Sequence, residues 1–276
     1  MIKIENTEVL GWEVAIRGMR NPMNSWQKSD SLFNFDDYYK NDAARDCGFE
    51  TTIAESILGE ELEDPDFSTM VNPGCNVIDF ALGPNDHKLM MNLAKAGSVD
   101  AKYRRMIVVY ADITAPLYWW KEYDTYKIAT VANSCSTMHK IHSKEFTLED
   151  FSCEHLMMVE DYRDDLPALK ENEIRIVGDF KLALEATIHA LNDARELYLE
   201  TKDKRFWWQM IQLLPSSYNQ RRTIMVNYEV LAGIYPKRKD HKLDEWHDFC
   251  DWIKSLPYSE IITLEENNAP ENSEEN

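Results

Sequence analysis

From Met1 to about Met19, apolar residues alternate loosely with polar ones through Ile2, Ile4, Val9, Leu10, Trp12, Val14 and Ile16. A repeat near two belongs to strands, so one or two short strands are expected here. The period then fails. Asn21-Pro22-Met23-Asn24-Ser25 is turn chemistry, and the polar residues that follow, to about Asp46, restore no pattern. Gly59 to Pro73 reads as an acidic loop through Glu60, Glu61, Glu63, Asp64 and Asp66. Regularity returns after Gly83. Leu89, Met90, Leu93 and Ala94 follow Pro84-Asn85-Asp86 at helical spacing, and Gly97 stands where a left-handed C-terminal cap belongs. This predicts a helix over Pro84–Ala96. The run from Met106 to Thr114 is β-branched and apolar, which fits a buried strand ended by Pro116.

The second half is helix-rich. Asp179 is placed to cap a helix whose apolar stripe is Phe180, Leu184, Ile188, Leu191 and Tyr198. Further helices are expected over Lys204 to Leu213, Ser216 to Ile234 and about Lys242 to Ser255, with Pro215, Pro236 and Pro257 as punctuation. The residues from Glu265 onward are acidic with almost nothing apolar to bury, so a disordered tail is expected over 263–276. The pattern gives an α/β (α+β) class: an irregular N-terminal section with short strands over 1–82, a main domain over 83–262, and the tail.

Charge narrows the function classes. Across 276 residues, 30 Lys and Arg face 49 Asp and Glu, a formal net charge of −19. Non-specific nucleic-acid or anionic-membrane binding needs the opposite sign, so neither is expected. A single anionic nucleotide in a locally basic pocket remains open. The five cysteines, Cys47, Cys75, Cys135, Cys153 and Cys250, form no Cys-x-x-Cys pair, and no apolar run approaches the roughly 20 residues a membrane helix needs. A reduced cytoplasmic setting is the expectation.

Chemistry-bearing residues concentrate in two places. Tyr123 to His139, continuing to Lys140, His142 and Lys144, puts hydroxyls, an amide, a thiol and cations after a strand, where ligands gather in α/β proteins. The same letters fit a helix start capped by Ser134 or Ser136. On a helix, Cys135, His139 and His142 would share one face, a spacing open to zinc but showing no fourth ligand. The second place is Pro236-Lys-Arg-Lys-Asp-His-Lys242, the most basic run of the chain. Arg238 suits a phosphate or a pyrimidine edge, because a guanidinium bonds bidentately; a solvated loop fits equally. Arg221 and Arg222 could join such a pocket, and Trp119-Trp120 and Trp207-Trp208 offer flat apolar surface. No phosphate-binding loop, dinucleotide glycine fingerprint, nucleophile elbow or zincin helix is present.

The order of features resembles one family. Ala115-Pro116 is followed by Thr125-Tyr126-Lys127, then Thr130, Asn133 and Ser136, then Leu214-Pro215, and finally Asn227 and Arg238, eleven residues apart. Over roughly Gly83 to Cys250 this is similar to the flavin-dependent thymidylate synthases, with their Arg-His-Arg-x-x-Ser-x-Asn-Glu-x-Ser-x-Arg signature. The resemblance implies that family's fold and a homotetramer binding FAD, with dUMP methylated to dTMP using methylenetetrahydrofolate and NADPH. It implies Ser136 and Arg238 as catalytic residues, Ser136, Arg221 and Arg238 at the substrate, and Lys127, Asn133 and Asn227 on the cofactor side, with no metal. The signature is altered: Thr125-Tyr126-Lys127 replaces Arg-His-Arg, Ser134 the Glu, Met138 the last Arg, and Ile211 an Arg four residues before Pro215. A catalytically silent nucleotide-binding or scaffolding relative is the alternative reading.

Overall fold

Gly11 turns the chain out of its first strand with φ +96°, and the next nine residues coil into a helix. The computed structural model describes residues 2–33, 80–167 and 178–265. Its elements are β1 (Lys3–Leu10), α1 (Trp12–Arg20), β2 (Leu32–Phe33), β3 (Phe80–Ala81), α2 (Pro84–Ala96), β4 (Val108–Pro116), α3 (Leu117–Tyr123) and β5 (Val131–Ser134). There follow α4 (Val159–Tyr162), α5 (Phe180–Thr201), α6 (Lys204–Leu213), β6 (Asn219–Asn227), α7 (Tyr228–Arg238), α8 (Asp244–Ser255) and α9 (Glu260–Thr263). The main sheet runs β1-β4-β6-β5, while β2 pairs antiparallel with β3, Leu32 opposite Ala81. The expected acidic loop over 59–73 and the tail beyond Glu265 lie outside the described residues.

The helices over Pro84–Ala96 and Lys204–Leu213 form as the spacing predicts. Elsewhere the structure corrects the expectation. Trp12 to Met19 is helix, not strand: Trp12, Ala15, Ile16 and Met19 are buried at a helical period while Val14, which fits the strand alternation, is exposed. The stretch expected to be helix over Ser216 to Ile234 is strand through Asn227 and only then helix. Gln220, Ile224 and Val226 bury on one face, a repeat of two. Pro236 does not stop α7, which runs on to Arg238; so close to the C-terminus it removes only one backbone bond from the last turn. Pro116 belongs to β4 and opens α3.

The chain forms two units that interleave along the sequence. One comprises Met1–Ile4, Asp112–Lys127 and Ala132–Ile224, the other Glu5–Ala111, Ile128–Val131 and Met225–Asn276. In the first, α5 and α6 bury Leu184, Ile188, Leu191, Ala194 and Met210 against Ile141, Phe146 and Phe151. Full burial of such a side chain contributes about 1.5–3 kcal/mol, so this cluster holds the helical hairpin. Asp179 and Asp203 cap the two helices, accepting from the N–H groups of Leu182 and Arg205. In the second, the Trp12 ring stacks on Phe80 at 4.9 Å and meets Tyr228 and Tyr258 edge-on at 5.4 Å. Tyr103, Ile107, Leu231, Trp246, Phe249 and Ile253 complete that core.

Candidate functional site

Strand β6 displays the polar residues of the first unit on a fixed backbone. Its repeat of two puts Arg221 and Thr223 together on its outer face, opposite Asp112 of β4. The Arg221 guanidinium donates to Asp112 Oδ2 at 2.8 Å, and the Thr223 hydroxyl donates to Asp112 Oδ1. Arg222 is half-buried. It lies 4.2 Å over the Trp120 ring, donates to Asp124 at 2.8 Å and to the Gln220 side-chain oxygen at 3.0 Å. Trp120 in turn donates to the Gln220 carbonyl at 2.9 Å, so the guanidinium is fixed from below and from both sides.

The polar segment after α3 is held against this strand. Cys135 N–H donates to the Arg221 carbonyl at 3.0 Å, and the Gln220 amide donates to the Cys135 carbonyl at 2.7 Å. β5 ends at Ser134, and the chain continues as turns, not as the helix that would align Cys135, His139 and His142 on one face. Among the described residues no three His, Cys, Asp or Glu side chains are grouped to hold a metal ion. Ser136 is half-buried, and its hydroxyl accepts the His139 N–H at 3.0 Å, a capping contact within a turn. Lys127 and Asn133 are exposed.

Asn227 and Arg238 belong to the second unit. Asn227 is buried at the N-cap of α7 and accepts the Val230 N–H at 3.0 Å. Arg238 closes the same helix, so the two stand about 16 Å apart along its axis. The Arg238 guanidinium lies 4.3 Å over the Trp246 ring. Beside it Lys239 and Tyr235 both bond Glu265, whose carboxyl these contacts hold below its ordinary range. Burial pushes the Cys250 thiol up to about 11, which keeps it protonated and unreactive at neutral pH.

Of the residues expected at the site, Lys127, Asn133, Ser136 and Arg221 therefore fall in one unit, and Asn227 and Arg238 in the other. Asp112, Gln220 and Asp124 were not expected. Alternation over Asn219–Asn227 was the available signal for the Arg221–Thr223 face; nothing local marks which carboxylate meets it.

No family model and no curated protein matches the chain. Solved structures do. Thymidylate synthase X from Helicobacter pylori, with FAD and dUMP, is 13% identical, with a TM-score of 0.54 over 95% of this chain and 96% of that one. A second structure of the flavin-dependent enzyme from that organism, also with FAD and dUMP, gives the same identity and score over 94% of this chain and 96% of that one. A UMP/dUMP methylase, PolB from Streptomyces cacaoi, bound with 5-Br dUMP, is 13% identical, with a TM-score of 0.50 over 96% and 95%. The chain thus has the mixed α/β fold of the flavin-dependent thymidylate synthases.

Proposed function

We propose that this protein binds a pyrimidine nucleotide and methylates it at C5, with dUMP as substrate and dTMP as product. What supports the reading is the likeness of fold along 95% of the chain to an enzyme solved with FAD and dUMP. The order of Ser136, Leu214-Pro215, Asn227 and Arg238 agrees with it. In the balanced reaction dUMP, methylenetetrahydrofolate, NADPH and a proton give dTMP, tetrahydrofolate and NADP+. When bound, FAD supplies the hydride-transfer chemistry.

The donor set fits such a group in part through Lys127 and Asn133, both exposed and without side-chain partners among the described residues. These two would hold the cofactor's diphosphate. Arg238, fixed over Trp246, bonds the uracil edge or the phosphate in two parallel contacts. The resemblance also assigns Arg221 and the Ser136 hydroxyl to the substrate side. The homotetramer and the cytoplasmic setting belong to the same proposal. Among the described residues no helix is long and apolar enough to cross a membrane.

The silent, nucleotide-binding alternative has its own observation. Of the cations that could stand in for the altered Arg-His-Arg, which are Lys127, Arg221, Lys237 and Lys239, Arg221 is already paired with Asp112. One experiment separates the readings: dUMP-dependent NADPH oxidation with added FAD and methylenetetrahydrofolate, in wild type and Arg238→Ala. The enzyme reading expects turnover that falls at least 100-fold in the variant. Calorimetric dUMP binding without turnover supports the alternative, and neither binding nor turnover overturns both.

A further inference from the structure

The corner between α5 and α6 concentrates cationic and imidazole groups that the acidic chain leaves unmatched. A cavity of about 430 Å³ opens there, walled by the Tyr198 and Trp207 rings and floored by Met138. Its polar lining is Lys202, Lys204, His139 and His142. The lysines lean over the walls: Lys202 Nζ lies 5.8 Å from the Tyr198 ring centre, and Lys204 Nζ 6.0 Å from that of Trp207. Trp207 is fixed by donating to the Met138 carbonyl at 3.1 Å, and the His142 ring packs edge-on against Tyr198 at 5.0 Å.

None of these cations has a carboxylate partner among the described residues. The acid between the lysines, Asp203, is taken by Arg205, which donates to it through Nε and Nη2. His142 Nδ1 is buried without a hydrogen-bond partner among the described residues, so part of that ring's bonding capacity is unspent within the fold.

Both lysines also stand where local structure disfavours them. Lys202 caps α5 with φ +56° and ψ +16°, the left-handed region in which glycine is the unstrained choice. Lys204 is the first residue of α6, where the helix dipole favours an acid and opposes a cation. Positions that stability alone would fill with Gly and Glu carry the two ammonium groups that rim one cavity.

We infer that this cavity binds a small aryl phosphate. The ring lies against Trp207 and Tyr198, and the phosphate between Lys202, Lys204 and the imidazoles. The cavity volume suits a ligand of that size. The site involves neither Arg238 nor Arg221; Met138 on its floor stands where the resembled signature has its last Arg, while the lysines that rim the cavity come from the corner between α5 and α6 and lie outside that signature.

Phenyl phosphate, inorganic phosphate and phenol, titrated calorimetrically into the full chain, test it. Wild type should bind phenyl phosphate at least tenfold more tightly than either fragment, because ring and charge are read together. Lys202→Gly and Lys204→Glu should each weaken phenyl phosphate at least tenfold, with a melting temperature equal to or above that of wild type. Either substitution relieves a local conflict, so lost binding with a retained fold cannot be unfolding. Trp207→Leu should weaken phenyl phosphate and leave inorganic phosphate unchanged. Arg238→Ala should retain the phenyl phosphate binding that Lys202→Gly and Lys204→Glu lose. The inference falls if phenyl phosphate binds no better than inorganic phosphate, if both lysine variants bind normally, or if Arg238→Ala abolishes binding.

Discussion

Asp86 shows how much one buried residue can organise. Its carboxylate is fully buried and accepts from Arg20 Nε at 2.6 Å, the Ser29 and Ser31 hydroxyls at 2.7 Å, and the Asp30 and Ser31 N–H groups at 3.1 Å. Asp30 returns the contact by accepting the N–H groups of Asn85 and Asp86 at the start of α2. Burial pushes the Asp86 carboxyl up, but the serine and Arg20 hydrogen bonds, with the Arg20 charge, outweigh it and hold the group below its ordinary range. Asp86→Asn should cost roughly 3–5 kcal/mol at neutral pH, because Arg20 is left as a buried, unmatched charge. The sign of the pH effect follows from the lowered pKa. The stabilisation is complete above the unfolded value of about 3.9 and is lost as pH falls through the folded one. Urea unfolding at pH 7, 4 and 3 should show the gap between wild type and variant shrinking below pH 4; a constant gap would refute the charge account. In sequence Asp86 read only as part of a helix start, since its partners lie more than fifty residues away. Asn227 and Arg238 were legible as a spacing, but spacing cannot say that a helix runs between them or that Asn227 is committed as its cap.

At the scale of elements, legibility followed how self-contained each period was. α2 and α6 carry their own start signals and apolar stripes, so their bounds could be read from the letters. α1 and β6 could not. Trp12-Glu-Val-Ala-Ile satisfies a repeat of two as well as one of 3.6, and the choice is made by Gly11. A Cβ at Gly11 would meet the Met106 carbonyl oxygen at 2.2 Å, so both its φ and its space demand glycine. Gly97 is the control: its φ is +110°, but nothing lies within 4 Å of a Cβ there. Gly97→Ala should cost about 1–3 kcal/mol, the conformational penalty alone of a backbone at φ +110°, ψ 176°, which lies outside the left-handed helical region expected of the cap. Gly11→Ala should cost at least about 1 kcal/mol more because of the added clash. Equal losses in chemical denaturation would mean that the strand-to-helix corner yields freely and that the close approach of Met106 decides nothing. In β6 the charged pair Arg221-Arg222 hid the alternation, because both cations find carboxylates on other elements that the local sequence does not contain.

For the whole molecule the governing quantity is a net charge of −19, legible from composition alone. Two opposed salt effects follow. Dissolved ions weaken the exposed pairs, such as Lys239 with Glu265 and Arg205 with Asp203, but solvent-facing pairs of this kind contribute little to the fold. They also relieve the mutual repulsion of the unbalanced carboxylates, which acts over a Debye length of about 30 Å at 0.01 M salt and about 10 Å at 0.1 M. The buried Arg20–Asp86 pair, at 2.6 Å, is shielded from solvent ions and changes little. Repulsion sums over every unmatched acid, whereas the pairs are few and already close to neutral, so its relief should win. The melting temperature should rise by several degrees between 0.01 and 0.15 M sodium chloride. Potassium chloride should have the same effect, since screening depends on ionic strength and not on the cation. A fall over that range would mean that the ion pairs along β6 and α7 matter more to the fold than the excess charge does. The same screening reaches an anionic ligand. At low salt a phosphate is repelled by the molecule as a whole, and near 0.1 M it meets mainly the few cations within about 10 Å. Phenyl phosphate should therefore associate faster at 0.1 M than at 0.01 M, the reverse of what a basic protein shows. Stopped-flow tryptophan quenching measures this directly, and a rate that falls with salt would place the surplus acids too far from the binding corner to matter.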